Sequence, residues 1–294
     1  MKIGYLGPEG TFSEEASKVY KKMIKGKTCM LPFTTIHDLL FAADKRKLNE
    51  AIVPVENSIE GSVGIVLDML VKDVDLMIKQ ELIIPVYHYL ISQKGVHLSE
   101  ITDVISHPQA IDQCKEFLTK NLKKAKMHLS YSTADAVRQV AVSLGEKIIA
   151  HGKIKGPVFA AIGTKASAGL YGLKVIAPNI NAKENQTRFL VLSKNDAAPS
   201  LRNKTSIVFS ISKDRPGGLF QILGEFADRG INLTKIESRP SKKALGDYYF
   251  FMDMQGHRKN HKIREAVAQI KRKVAFFKML GSYPQSAKKG VERA

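Results

Sequence analysis

Short apolar runs alternate with polar turns and helical stripes along most of the chain. Residues 2–6 are apolar enough for a buried strand, and Gly7-Pro8-Glu9-Gly10 turns it. Thr11 with Glu14 three residues on reads as a capping box that opens a helix. The same grammar recurs twice. Residues 51–55 predict a strand, Glu56-Asn57-Ser58 a turn and 61–70 a helix, while Ser132 and Thr133 open a helix whose apolar face is Ala136, Val137, Val140 and Ala141. The β-branched and aromatic run 82–91 reads as a strand-pair region, and 104–106 and 158–162 as short buried strands, each followed by a turn and a helix. Strands alternating with helices predict α/β layers.

After a strand at 187–193 the polar, proline-containing stretch 194–203 reads as a linker. Beyond it the pattern predicts a strand at 206–212, a turn at 214–218, a helix at 219–229, strands at 232–238 and 248–254, a helix at 261–273 and a strand from 276. The order βαββαβ is that of a ferredoxin-like domain.

Composition narrows the class. A chain of 294 residues predicts two domains or three lobes. With 44% hydrophobic and 25% charged residues it is globular rather than disordered. No run approaches ~18 apolar residues, which excludes a membrane-spanning helix, and the start lacks a signal-peptide pattern, so a cytoplasmic chain is expected. Cys29 and Cys114 have no CxxC partners and read as buried thiols, and the histidines lack metal-ligand spacing, so no metal is expected. Gly7-x-x-Gly10 fits neither a dinucleotide fingerprint nor a P-loop, and Ser58 and Ser132 stand outside any G-x-S-x-G elbow. The net charge is +18, and residues 200–294 carry 20 of the 46 Lys and Arg but only 8 of the 28 Asp and Glu. Such a surface concentrates anions of any kind. The basic helix at 261–273 lacks interleaved aromatics and reads as a solvated face, with no nucleic acid expected.

Hydroxyl and amide residues cluster at the predicted helix starts: Thr11 and Ser13, Asn57 and Ser58, Ser62, Ser132 and Thr133. Gathered in one crevice they would bind a multiply charged anion. Taken singly they are ordinary caps.

Seven ordered motifs carry a resemblance. Gly7-Pro-Glu-Gly-Thr-Phe-Ser13, Val53-Pro-Val-Glu-Asn-Ser58, Ser106-His-Pro-Gln109 with Gln113-Cys114, Ser132-Thr133-Ala134 and Asn185-x-Thr187-Arg188-Phe189 resemble prephenate dehydratases. Gly217-Gly218-Leu219 and Gly230-Ile-Asn-Leu-Thr234 with Ile236-Glu-Ser-Arg-Pro240 resemble the ACT regulatory domain of that family. The regulatory motif, often Gly-Ala-Leu in the family, has Gly218 here and lacks a methyl that could touch an effector. The resemblance implies a monofunctional chain, without the chorismate mutase segment of some relatives. It also implies a two-lobed catalytic region like a type II periplasmic binding protein over 1–193, with lobe one about 1–77 plus 170–193 and lobe two about 78–169. A linker at 194–203, an ACT domain at 204–282 and a tail at 283–294 would follow.

The implied reaction is loss of CO2 and hydroxyl from prephenate to give phenylpyruvate, without a cofactor. Arogenate as substrate and a non-catalytic amino-acid or solute sensor are the alternatives. By resemblance Thr187 donates to the leaving hydroxyl, with Glu56 as candidate acid if it stays protonated, or as an ionised residue orienting Asn57 or capping a helix. Asn57 and Gln113 bind substrate oxygens, and Thr11, Phe12, Ser13, Ser58, Ser132, Thr133, Arg188 and Phe189 complete the pocket. Phe189 would dry the ring side, and Arg188 would pair with a substrate carboxylate or brace the lobes. Gly217, Gly218, Leu219, Asn232, Leu233, Glu237 and Ser238 would hold L-phenylalanine at an interface between subunits, in a dimer or tetramer built through the ACT domain.

Overall fold

The computed structural model describes residues 1–142, 149–150, 153–154, 156–182, 184–211, 216–242 and 246–286. The chain begins with β1 (Lys2–Leu6), α1 (Phe12–Met23), β2 (Cys29–Phe33), α2 (Ile36–Asp44), β3 (Glu50–Asn57), β4 (Gly61–Ser62), α3 (Gly64–Lys72) and β5 (Met77–Pro85). It crosses into a second lobe of β6 (Tyr89–Ser92), β7 (Asp103–Ser106), α4 (Pro108–Gln113), α5 (Lys115–Asn121), β8 (Lys126–Leu129) and α6 (Thr133–Val142). That lobe continues with the hairpin β9 (Ile149–Ala150) and β10 (Lys153–Ile154), then β11 (Phe159–Gly163), α7 (Lys165–Leu170) and β12 (Lys174–Ala177). The chain returns as β13 (Gln186–Ser193). The last domain is β14 (Asn203–Ser210), α8 (Gly218–Ala227), β15 (Leu233–Pro240), β16 (Tyr248–Gln255), α9 (His261–Lys273) and β17 (Phe276–Pro284).

The first sheet runs β2-β1-β3-β13-β5 and the second β12-β6-β11-β7-β8. Two crossovers therefore join two α/β lobes, with a cleft at the strand ends where such sheets bind ligands. The lobe limits differ from those expected. β5 pairs with β13 from Pro85–Gln186 to Met77–Ser193, so lobe one extends to Pro85. β12 pairs with β6, so lobe two extends to Ala177. The run 82–91, read as a strand pair, is two strands in two sheets. Residues 61–62 also differ: Gly61, at φ +83°, folds back on β3 as β4, and the helix starts at Gly64 without a side-chain cap. Asn57, Ser58 and Ser62 thus cap no helix. Cys114 is buried and its thiol is pushed up to about 12 by desolvation, but Cys29 is exposed, against expectation.

The C-terminal sheet, β15-β16-β14-β17, is the antiparallel ferredoxin-like order. Part of its predicted first strand and turn, residues 212–215, and the tail from 287 lie outside the described residues. Alternation on β14 sends Ile207 and Phe209 into a core shared with α8 and α9, and Val208 to the other face. There Val208, Tyr249, Phe251, Leu280 and Tyr283 share one apolar cluster with Leu39, Leu40, Val66 and Leu70 of lobe one. Each large side chain removed from water in that contact contributes about 1.5–3 kcal/mol. Gly281, at φ +136°, lies so close to β5 that a Cβ would stand 2.6 Å from the Ile78 carbonyl oxygen. The linker is also fastened, since Asp196 accepts from Arg258 at 2.8 Å and Ala197 N–H donates to the Ser282 carbonyl.

Candidate active site

Strand alternation decides which motif residues share the cleft. Asn57 and Thr187 stand opposite one another on β3 and β13, and the next pair, Glu56 and Arg188, points to the other side of the sheet. On the cleft side the Asn57 amide is oriented by its own backbone, because Oδ1 accepts the N–H groups of Ile59 and Glu60 at 3.0 and 3.1 Å. Its Nδ2 must then face outward, and it donates to Asn185 Oδ1 at 2.7 Å and to Thr187 Oγ1 at 3.0 Å. Thr187 is 8% exposed, and its oxygen is thus an acceptor from the protein. The hydroxyl proton is left to donate into the cleft.

The network crosses to lobe two. Asn185 Nδ2 donates to Gln113 Oε1 at 2.8 Å, and Gln113 Nε2 donates to Glu60 at 3.4 Å. Ser58 Oγ donates to Asn185 Oδ1 and accepts the Gln186 N–H. Phe12, at the first turn of α1, meets the His88 ring edge-on at 5.7 Å between centroids. The lobes also touch where Thr164 Oγ1 donates to the Gly10 carbonyl at 2.6 Å. Beside Phe12 opens a groove of about 370 Å3, walled by Glu15 and Lys18 of α1, by Pro85, Tyr87 and Tyr89 of the crossover, and by Thr164, Lys165 and Ala166 of lobe two. Among the described residues no group of three or more His, Cys, Asp and Glu side chains is arranged for a metal ion.

Several expected site residues serve other ends. The Thr11 hydroxyl caps α1, accepting from Glu14 N–H and donating to the Pro8 carbonyl, so it holds Phe12 in place rather than offering a free donor. The expected box is offset by one residue, since the Glu14 carboxylate accepts from Gly10 N–H. Ser13 is buried beside it. Ser132 Oγ caps α6 on lobe two, accepting the Asp135 N–H at 3.0 Å, and Thr133 is that helix's first residue. Phe189 is 1% exposed and packs with Ile3, Ala16, Ile52 and Leu82 beneath α1, so it is core and not a pocket wall.

Glu56 and Arg188 face away from the cleft, against expectation. Glu56 accepts from Lys235 at 2.9 Å and lies 3.7 Å from Arg188, on the face toward the C-terminal domain, where it cannot hand a proton to the cleft. Arg188 braces domains, not lobes, and its guanidinium is turned away from the cleft. Its guanidinium pairs with Glu81 at 2.9 Å and Asp253 at 2.7 Å and donates to Tyr283 Oη at 2.8 Å. Burial pushes the Tyr283 phenol far above its usual range, so it stays neutral in this cluster. Lys204 joins through Glu81 at 3.0 Å, and Ser206 through Asp253.

The effector-site residues divide as well. Gly217, at φ +78°, turns into α8, which starts at buried Gly218 and then Leu219. Asn232 and Ser238 are exposed, and Leu233 opens β15. Glu237 points the other way, accepting from Ser62 at 2.6 Å and pairing with Lys235 at 3.1 Å on the docking face. It is therefore taken from the effector set. Sequence reasoning passed over His88, Glu60, Asp253 and Tyr283, and quoted Asn185 without a role. The one local signal was His88 itself, a lone imidazole in an apolar run.

Comparison with known proteins identifies the family. A family model for prephenate dehydratase matches residues 3–197, and an ACT domain model matches 205–272. A prephenate dehydratase from Methanocaldococcus jannaschii is 40% identical over 283 residues, covering 95% of this chain and 97% of that protein. A bifunctional chorismate mutase/prephenate dehydratase from Aquifex aeolicus is 37% identical, covering 97% of this chain and 74% of its own length. The crystal structure of a prephenate dehydratase from Arthrobacter aurescens, in complex with L-Phe, superposes with a TM-score of 0.85 at 32% identity, covering 98% of this chain and 92% of that one. The chain belongs to the prephenate dehydratase family of carbon–oxygen lyases, with an ACT domain following the catalytic region.

Proposed function

We propose that the cleft converts prephenate to phenylpyruvate in the cytoplasmic synthesis of L-phenylalanine, and that phenylalanine regulates it through the ACT domain. The observation that carries the reading is the Asn57–Thr187 pair, which leaves the Thr187 hydroxyl proton free to donate into the cleft. In the reaction the bond to the ring carboxylate breaks, its electron pair enters the ring, and the C–O bond opposite breaks. CO2 and hydroxide leave, and the hydroxide takes a proton to become water. Aromatisation drives this, so the protein has to position the dianion and stabilise the departing oxygen. Thr187 donates to that oxygen, Asn57, whose two amide hydrogens are taken by Asn185 and Thr187, holds Thr187 in place, and neutral Gln113 binds a substrate oxygen without trapping a carboxylate. The groove beside Phe12 adds aromatic walls in Tyr87 and Tyr89 and a cation in Lys165 next to this network.

Regulation has a short route. Thr187 faces the cleft while its neighbour Arg188 is held by Asp253 and Tyr283 of the ACT domain, so any shift of that sheet is felt one residue from the reacting group. β17 is docked on lobe one, which leaves β15 as the open edge of the ACT sheet, with Ile236 and Phe220 exposed. A second copy would cover that edge in a dimer or tetramer, with phenylalanine bound near Gly217, Gly218, Leu219, Asn232, Leu233 and Ser238. The test offers purified full-length chain prephenate or arogenate, with and without phenylalanine. Phenylpyruvate from prephenate, at a rate changed by phenylalanine, supports the reading. Phenylalanine formed from arogenate alone would shift the substrate, and binding without turnover of either would leave a sensor.

A further inference from the structure

We propose that His88 is a positioning residue for this reaction, clamping the Gln113 side chain from the crossover between the lobes. The inference rests on the dehydratase reading above. His88 is 3% exposed, and its backbone is tied to the opposite crossover: its N–H donates to Asn181 Oδ1 at 3.0 Å, and its carbonyl accepts the Ile180 N–H at 2.9 Å. The ring is thus fixed to both chain segments that join the lobes.

Its tautomer follows from the hydrogen bonds. Asn57 is oriented by two backbone donors, so Asn185 Oδ1 must be the acceptor toward Asn57 and Asn185 Nδ2 the donor toward Gln113. The atom of Gln113 that takes this donor is therefore its oxygen. The same oxygen lies 3.0 Å from His88 Nε2, so Nε2 carries the hydrogen and Nδ1 the lone pair. Nδ1 is sealed from solvent and meets no hydrogen-bond partner among the described residues. Such a ring is held neutral and is a donor in one direction only.

Two donors, one from each crossover, converge on Gln113 Oε1. A glutamine has three rotatable bonds, and without His88 its head would be held by one short contact, to Asn185 at 2.8 Å, and one long one, to Glu60 at 3.4 Å. His88 closes that freedom and sends Nε2 toward Glu60 and the cleft. The His88 ring also packs edge-on against Phe12, but its Nε2 donor acts through Gln113, so the part of its effect that comes from the donor should vanish when Gln113 is absent.

The experiment is a double-mutant cycle on the full-length chain, read as kcat and KM for prephenate, with circular dichroism confirming the fold. His88→Met keeps bulk and removes the donor, and about a ten-fold loss in kcat/KM is expected, in line with losing a positioning contact. His88→Gln, whose amide nitrogen can occupy the Nε2 position, should recover most of that loss. In a Gln113→Ala background His88→Met should cost less than about two-fold. No loss in His88→Met, or the same loss with and without Gln113, would overturn the proposal. If His88→Met does not fold, His88→Asn, too short to reach Gln113, replaces it, and full activity there overturns it equally. A parent chain that gives no phenylpyruvate would instead fail the reading of the function.

Discussion

Asp253→Asn separates what the ACT domain lends to the catalytic sheet from what it does as a ligand sensor. Asp253 is almost enclosed, with Arg188 Nη1 at 2.7 Å and Ser206 Oγ at 2.5 Å. At the cluster's centre the cations Arg188 and Lys204 face the anions Asp253 and Glu81, the last with a side chain 0% exposed, while the half-exposed Glu56 stands farther off at 3.7 Å and is shared with Lys235. The substitution keeps shape and removes one negative charge, leaving Arg188 partly uncompensated in a dry interface. Breaking a buried pair by removing one partner costs about 3–5 kcal/mol. The Asn oxygen still accepts one hydrogen bond and Glu81 still faces the guanidinium, so the lower end, roughly 3 kcal/mol, is expected. That is a large share of a typical stability of about 5–15 kcal/mol. Urea unfolding followed by circular dichroism reads the loss, and prephenate turnover reads its reach into the cleft, where Thr187 should lose its fixed position and kcat should fall. A midpoint shifted by less than the equivalent of about 0.5 kcal/mol, the ordinary size of a surface change, with kcat unchanged, would refute the coupling of the two faces of β13.

Gly281→Ala should destabilise the chain by about 1–3 kcal/mol, because its φ of +136° disfavours a side chain and the new methyl would meet backbone, not a movable side chain; an unchanged thermal midpoint would contradict the close approach of β17 to β5. Gln113→Ala should raise KM for prephenate and Asn57→Ala, which frees Thr187, should lower kcat, and steady-state kinetics showing neither change would remove both from the cleft. Burial pushes the His88 pKa below its usual 6.5, with the bond to Gln113 opposing only in part. Below pH 6.5 the unfolded chain therefore binds a proton that the folded chain refuses, and stability falls as pH drops toward the lowered value. Urea midpoints at pH 7 and pH 5 should drop further in the parent than in His88→Gln, and equal drops would show that the ring is not held neutral.

What could be read from sequence was mostly local. Thr11 announces its helix because a cap needs only the next three residues, and Gly217 its turn because few residues accept a positive φ. The ferredoxin-like order was legible because each ACT strand carries its own alternation. The faces of β3 and β13 were not. Glu56, Arg188 and Phe189 sit in family motifs beside Asn57 and Thr187, yet their directions follow from sheet register and from a domain docking on one side, neither of which is written in neighbouring residues. β5 likewise joins lobe one because Met77–Pro85 finds β13 more than a hundred positions away. His88 remained hidden for the opposite reason: its partners Gln113, Asn181 and Ile180 converge on it only after both crossovers close.

The most direct measurement is the turnover of prephenate by Thr187→Ala, set beside the parent and Thr187→Ser. If the hydroxyl proton left free by Asn57 stabilises the departing oxygen, losing it removes a transition-state donor worth roughly 3 kcal/mol, and kcat should fall by about 10²-fold or more while KM and the unfolding midpoint move little. Thr187→Ser, which keeps the hydroxyl on the same strand, should retain most of the rate. A Thr187→Ala enzyme with kcat within about three-fold of the parent, well short of the loss of one such donor, would contradict the central role given to this residue.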